Sequence, residues 1–126
     1  MNKEELKNRT KLFAVHIIKF IESQPDSRSF RVLSNQLIRS ATSIGANYRS
    51  ACKGKSTADF INKIIIVEEE ADESFYWLEL IEESGLGNNT AVAYLKKEAN
   101  ELTAIFTSIG KTAKLNQQIS KNSKSN

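Results

Sequence analysis

The stretch that decides the fold is residues 37–47, LIRSATSIGAN, set against residues 70–78, EADESFYWL, across a break at Gly54. In the first segment Arg39, Ser43 and Asn47 recur at i, i+4 and i+8, which places them on one helical stripe among small residues. In the second, Val67, Ala71, Ser74, Leu78 and Ile81 repeat with the spacing of a helix packed along one face. Two helices joined by so short a turn run antiparallel. Residues equidistant from the turn then lie at similar heights, since both helices rise about 1.5 Å per residue. That register sets Arg39 between Glu70 and Glu73, Ser43 opposite Val67 and Asn47 opposite Lys63.

The pattern therefore predicts a polar clasp of Arg39, Ser43, Asn47, Lys63, Glu70 and Glu73 on the inward faces of the hairpin. An ion pair of Arg39 with Glu70 and Glu73 is its centre, and Asn47 is expected to bond backbone or Lys63. A guanidinium suits such a place because its planar fork binds carboxylates with two bonds and keeps its charge when partly buried. With deep burial, losing one partner would cost roughly 3–5 kcal/mol. Fixing the register of the two helices is the first reading; a ligand site or catalysis by the two glutamates are the alternatives.

Outward from this hairpin, helical periodicity continues over nearly the whole chain. A first helix is expected from about Lys3 to Ser23, with Leu6, Phe13, Ile17 and Phe20 on one face, and the only proline, Pro25, follows it. The second runs from about Ser29 to Cys52, capped by Asp26, Ser27 or Ser29. Ser56 caps the third, and Asp59 three residues later makes a capping-box pattern. Glycine and asparagine at 85–89 form a turn, Thr90 is expected to cap a fourth helix, and Leu95, Ala99, Leu102, Phe106 and Ile109 form its apolar stripe. The fold class is all-α: an antiparallel up-down-up-down four-helix bundle over residues 1–114, with 115–126 a disordered polar and basic tail. Ile61, Ile65, Ile66, Phe75 and Trp77 widen the apolar face of the third helix beyond what one bundle needs, which points to a homo-oligomer.

Of 126 residues, 40% are hydrophobic and 26% charged, the balance of an ordinary soluble domain. Its lone Cys52 cannot form an internal disulfide, and no secretory leader or membrane-length apolar run is apparent, so a cytoplasmic location and no membrane partner are expected. Cys52 itself reads as a small, half-buried hydrophobe. The net charge of +3 hides an asymmetry: residues 1–56 hold eleven Lys or Arg against four acids, and residues 57–84 hold nine acids against one Lys. The basic half supplies candidate phosphate contacts at Lys7, Arg9, Lys11, Arg28, Arg31, Arg49, Lys53 and Lys55, with Lys3, Lys111, Lys114, Lys121 and Lys124 beside them. Complementary pairing between helices or subunits would also account for the asymmetry.

Catalytic patterns are sparse. The single histidine, His16, rules out Glu-x-x-His di-metal centres and histidine-based zinc sites, and no phosphate-binding glycine loop occurs. Neither a metal nor a cofactor is expected. Arg9 and His16 have the Arg-x₆-His spacing of the HEPN ribonuclease motif, but on a first helix and among core residues. A small RNase is the remote alternative to a non-enzymatic protein.

The segments QLIRSATSIGANYRSA (36–51) and DFINKIIIVEEEADESFYWLELI (59–81) resemble the four-helix-bundle proteins encoded in bacterial 23S rRNA intervening sequences. Arg39, Ser43, Ile44 and Asn47 match that family's pattern on the second helix; Glu70, Ala71, Glu73, Tyr76, Trp77 and Leu78 match the third. Where many members have a Glu-Gly pair after the asparagine, this chain has Tyr48 and Arg49, and position 72, often basic, is Asp72. The resemblance implies a cytoplasmic bacterial homo-oligomer, pentameric by the family's known arrangement, with no enzymatic activity established. Similarity to the accessory proteins of diversity-generating retroelements implies nucleic-acid binding. The resulting expectation is a non-enzymatic oligomer that binds RNA, DNA or an RNA-handling partner; a protein–protein adaptor built on the acidic third helix is the alternative.

Overall fold

The computed structural model describes residues 1–124, with side chains through residue 123. Four helices follow one another: α1 (Lys3–Ser23), α2 (Arg28–Cys52), α3 (Thr57–Glu83) and α4 (Asn89–Lys124). Each packs on its neighbours in sequence, and α1 closes the ring against α4 through a thinner seam. The bundle is all-α and runs up-down-up-down. None of its described helices is long and apolar enough to cross a membrane.

Local chemistry sets the helix ends. The side chains of Asn2, Ser27 and Ser56 accept from the backbone N–H of Glu5, Phe30 and Asp59, satisfying donors that a first helical turn leaves free. Asn88, rather than Thr90, caps α4, its Oδ1 accepting from Ala91 N at 3.0 Å. The α3–α4 turn needs Gly85, whose φ of +70° is left-handed. There the Gly85 and Leu86 N–H groups reach back to the carbonyls of Glu82 and Ile81, the paired bonds of a Schellman end. Gln24 Oε1 accepts from Asn88 N at 2.9 Å, tying this turn to the α1–α2 turn.

The tail departs from expectation. Residues 115–124 continue α4 as helix, whereas the sequence suggests a disordered segment from residue 115. No proline or glycine follows Gly110, so nothing in the backbone stops a helix already nucleated and packed over two dozen residues. Residues 125–126 of that expected tail lie outside the described residues.

Phe13, Ile17, Leu37, Ile44, Ile64, Val67, Leu78, Ile81, Leu102 and Phe106 fill the centre with almost no exposure. Between α2 and α3 the contact is made by small groups: Ala41, Ala71, Ser40 and Ser74 are wholly buried. Ser40 Oγ and Ser74 Oγ lie 2.8 Å apart, and each also lies within hydrogen-bond distance of a carbonyl of its own helix, Leu37 O and Glu70 O, so that one hydroxyl donates to the other while the second donates to its carbonyl. This pair, and not the Arg39 stripe, is the buried polar link between the helices. We expect Ser40→Leu to destabilise the protein by about 1–3 kcal/mol through overpacking, and Ser40→Ala to cost less, since Ser74 keeps its carbonyl partner. Urea titrations of the two variants check this; equal midpoints would show that the contact has slack.

Candidate nucleic-acid interface

The clasp forms in part and sits nearer the surface than its sequence implies. Arg39 Nη1 lies 3.3 Å from Glu70 Oε2, and Nη2 bonds Glu73. The Arg39 side chain is 49% exposed, because the stripe lies on the outer edge of the α2–α3 seam, beside the buried Ser40 and Ala41. The remaining members do not cross between helices. Ser43 Oγ donates to Arg39 O at 2.7 Å and Asn47 Nδ2 to Ser43 O at 2.8 Å, a ladder along α2 itself. Lys63 pairs with Asp59 one turn before it, at 3.1 Å, and not with Asn47. An i,i+4 partner on the same helix is reached with less ordering than one across the seam.

Exposure makes the Arg39 pair weak, in the range of about 0.2–1 kcal/mol and well below the deeply buried case. Burial pushes the Glu70 carboxyl above its ordinary value of 4.5, and Arg39 opposes that shift. A carboxyl raised in the folded state binds protons more readily there than in the unfolded chain, so its contribution to stability falls as pH rises above the ordinary value. Removing the cation in Arg39→Met should raise Glu70 further and steepen that fall between about pH 4.5 and neutrality. Thermal melts across that range check it, and parallel pH profiles for the two proteins would show no coupling.

Arg9, a candidate phosphate contact and half of the RNase spacing, is engaged elsewhere. Its Nε and Nη2 reach Glu98 at 2.8 and 2.6 Å, and Nη2 also reaches Glu101 at 3.0 Å, so it bolts α1 to α4. Hydrogen bonding to Glu98 raises its already high pKa. His16 stands beside Tyr94, ring centroids 5.9 Å apart, on an open groove of about 660 Å³ between the same helices. Arg9 and His16 thus serve different contacts of the α1–α4 seam. Losing the bolt in Arg9→Met should cost about 1.5–3 kcal/mol, the range of hydrogen bonds to charged groups, in a chemical melt. No loss would make Arg9 a free surface cation.

Other candidates divide by position. Arg31 is held by Asp26 at 2.7 Å, and Arg28 lines a groove with Val32, Leu33, Leu80 and Leu86; both lie at the α1–α2 turn. Lys7, Lys11, Arg49, Lys53 and Lys55 gather at the opposite end, where α1 begins and α2 ends. Lys7, Lys11 and Arg49 line a trough of about 190 Å³ floored by Thr10, Ala14, Gly45 and Ala46. Gly45 permits the close approach beneath it: a Cβ there would stand 3.3 Å from Thr10 Oγ1 and 3.7 Å from the Lys11 backbone N. Beside the trough, Lys3 and Lys55 border a second recess with Gly54, Ser56 and Thr57.

The acids of this end have local partners: Glu4 pairs with Lys7, Glu5 bonds Asn2, and Asp59 pairs with Lys63. Lys3, Lys11, Arg49, Lys53 and Lys55 make no ion pair among the described residues. Helical α4 brings the exposed Lys111 and Lys114 to the same end of the bundle. The sequence marks these lysines as basic but takes residues 115–126 as a disordered tail, which obscures the length of the helix they stand on. Cys52 is half-buried under this end and packs on the core, next to buried Tyr48. Burial and the neighbouring thiol push the Tyr48 hydroxyl well above its ordinary range, so it stays neutral.

The acidic counterpart is the outer surface of α3, where Glu69, Asp72, Tyr76 and Ile66 are exposed. Lys96 of α4 binds Glu82 at 2.8 Å and sits over the Phe75 ring, and Thr107 donates to Glu68. Among the described residues no group of His, Cys, Asp and Glu is arranged to hold a metal ion.

The profile of the family described as 23S rRNA-intervening sequence protein matches residues 2–108. A crystal structure from Bacteroides thetaiotaomicron VPI-5482, described as a protein with unknown function from the S23 ribosomal protein family, superposes with a TM-score of 0.80. It is 35% identical, and the match covers 88% of this chain and 99% of that one. No functionally curated protein matches. The residues behind the resemblance have structural roles here: Ile44, Ala71 and Leu78 are core, and Arg39, Glu70 and Glu73 are the rim clasp. On the match over residues 2–108, the chain belongs to the 23S rRNA-intervening sequence protein family.

Proposed function

We propose that this protein is a non-enzymatic, cytoplasmic, oligomeric nucleic-acid-binding protein that holds RNA through phosphate contacts. The observation that carries the reading is the convergence of Lys3, Lys7, Lys11, Arg49, Lys53 and Lys55 at one end of α1 and α2, around a trough with a small-residue floor. Lysine-rich surfaces of this kind hold the backbone and set position without reading bases. The family's description ties its members to 23S rRNA sequence, which favours RNA over DNA as the first substrate to try.

Fluorescence anisotropy with labelled RNA across a salt series tests the reading. About five phosphate contacts predict that log K falls with log salt at a slope near −4. Replacing Lys7, Lys11 and Arg49 with Gln should weaken binding for every sequence tried and flatten the slope by about one for each cation removed. Absence of binding at about 50 mM salt would overturn the reading.

Self-association is part of the same proposal. Val32 and Leu80 on the α2–α3 rim, and Leu12 and Ile18 on α1, leave apolar surface that a lone bundle does not use. Native mass spectrometry should give a homo-oligomer, five copies by family resemblance; a monomer at micromolar concentration would contradict it. A second reading, a protein–protein adaptor, is favoured by Ile66 and Tyr76 standing exposed among Glu69 and Asp72 on α3. It takes precedence if the RNA titration is flat.

A further inference from the structure

We infer that the basic end takes double-stranded rather than single-stranded nucleic acid, gripping both phosphate backbones; this rests on the nucleic-acid reading above. The first ground is the chemistry of the surface. Non-specific single-strand binders stack bases on exposed aromatic rings. The trough is lined by lysine, arginine, threonine, alanine and glycine, with no ring among them. Phe60, in the neighbouring recess, is packed against the core. The exposed rings lie elsewhere: Tyr76 on the acidic outer side of α3 and Tyr94 beside His16 in the α1–α4 groove.

Geometry supplies the second ground. Lys3, Lys7 and Lys11 follow one another at i, i+4 and i+8, a row with steps of about 6 Å and a length of about 12 Å. Arg49 in the last turn of α2 and Lys53, the cap residue just after it, extend a second line of charge antiparallel to the first, at an interaxial distance of about 8–10 Å. Lys3, Lys7, Lys11 and Arg49 stand on packed helices, so their pattern of charge is preset. A duplex offers one phosphate per about 1.7 Å of axis from its two strands, twice the density of one strand. A preset double row therefore meets more phosphates on a duplex, with less ordering of the ligand, than on a flexible strand.

The trough also offers little to a base edge. Thr10 Oγ1 donates to Lys7 O and Thr42 Oγ1 to Ile38 O, and the remaining floor is alanine and glycine. Recognition by backbone and shape is how duplex RNA is generally bound.

Anisotropy titrations of the full chain against a short RNA duplex, and against one of its strands designed not to pair with itself, decide the matter. The duplex should bind at least about tenfold tighter at about 100 mM salt, with a slope near −4. The double variant Lys7→Gln/Arg49→Gln should lose about tenfold or more for the duplex and flatten its slope by about two, with an unchanged melting temperature as the folding control. Equal or tighter binding to the strand would overturn the duplex inference and leave the nucleic-acid reading standing. Binding to neither would overturn both.

Discussion

The close approach of α2 and α3 is the constraint on which the rest of the molecule depends. Ser40, Ala41, Ala71 and Ser74 are small enough to let the two helices meet with no exposed surface between them, and the Ser40–Ser74 hydrogen bond satisfies the hydroxyls enclosed there. Close-packed interiors tolerate neither voids nor extra volume, so this seam sets the height of one helix against the other. Arg39, Glu70 and Glu73 then meet at the rim as a consequence of that register. They reinforce the register at the surface, where ion pairs contribute little.

Once the seam is set, the distribution of charge follows. The up-down order puts the start of α1, the end of α2 and the far part of α4 at one end, and lysines from three separate segments converge there. Acids that share this end are engaged by partners on their own helices. Arg9 and Arg31 look equivalent to Lys11 and Arg49 in composition, yet each is held by carboxylates and belongs to the scaffold. Lys3, Lys11, Arg49, Lys53 and Lys55 are left without an ion pair among the described residues, and Lys7 shares only the largely exposed Glu4, from which a phosphate can take it over; which cations are so placed is a property of three-dimensional position.

The α1–α4 side shows a different balance. Its seam is thin, bolted by Arg9 to Glu98 and Glu101 and open beside His16 and Tyr94. The Arg-x₆-His spacing is thus accounted for by two separate contacts of one seam. Spacing along a helix establishes that two residues share a face; it does not establish that they share a task.

Sequence alone determined the four helices, the apolar stripes of the core, the Ser56 cap and the meeting of Arg39 with Glu70 and Glu73, and it narrowed the cap of α2 to three residues that include Ser27. These follow from 3.6-residue periodicity, capping chemistry and equal rise along antiparallel helices, all of which are local or nearly so. Sequence allowed Asn47 the backbone bond it makes, but did not reveal that Ser43 and Lys63 bond within their own helices, because periodicity gives a stripe its direction but not its depth. It also left Ser40 and Ser74 undistinguished from other small residues on a packed face. Helix α4 continued to Lys124 against a polar composition that suggested disorder, since propagation from a packed helix costs less than nucleation. Tertiary structure alone decided which cations are paired and which converge, because ion pairing depends on distances between helices that no single helix contains.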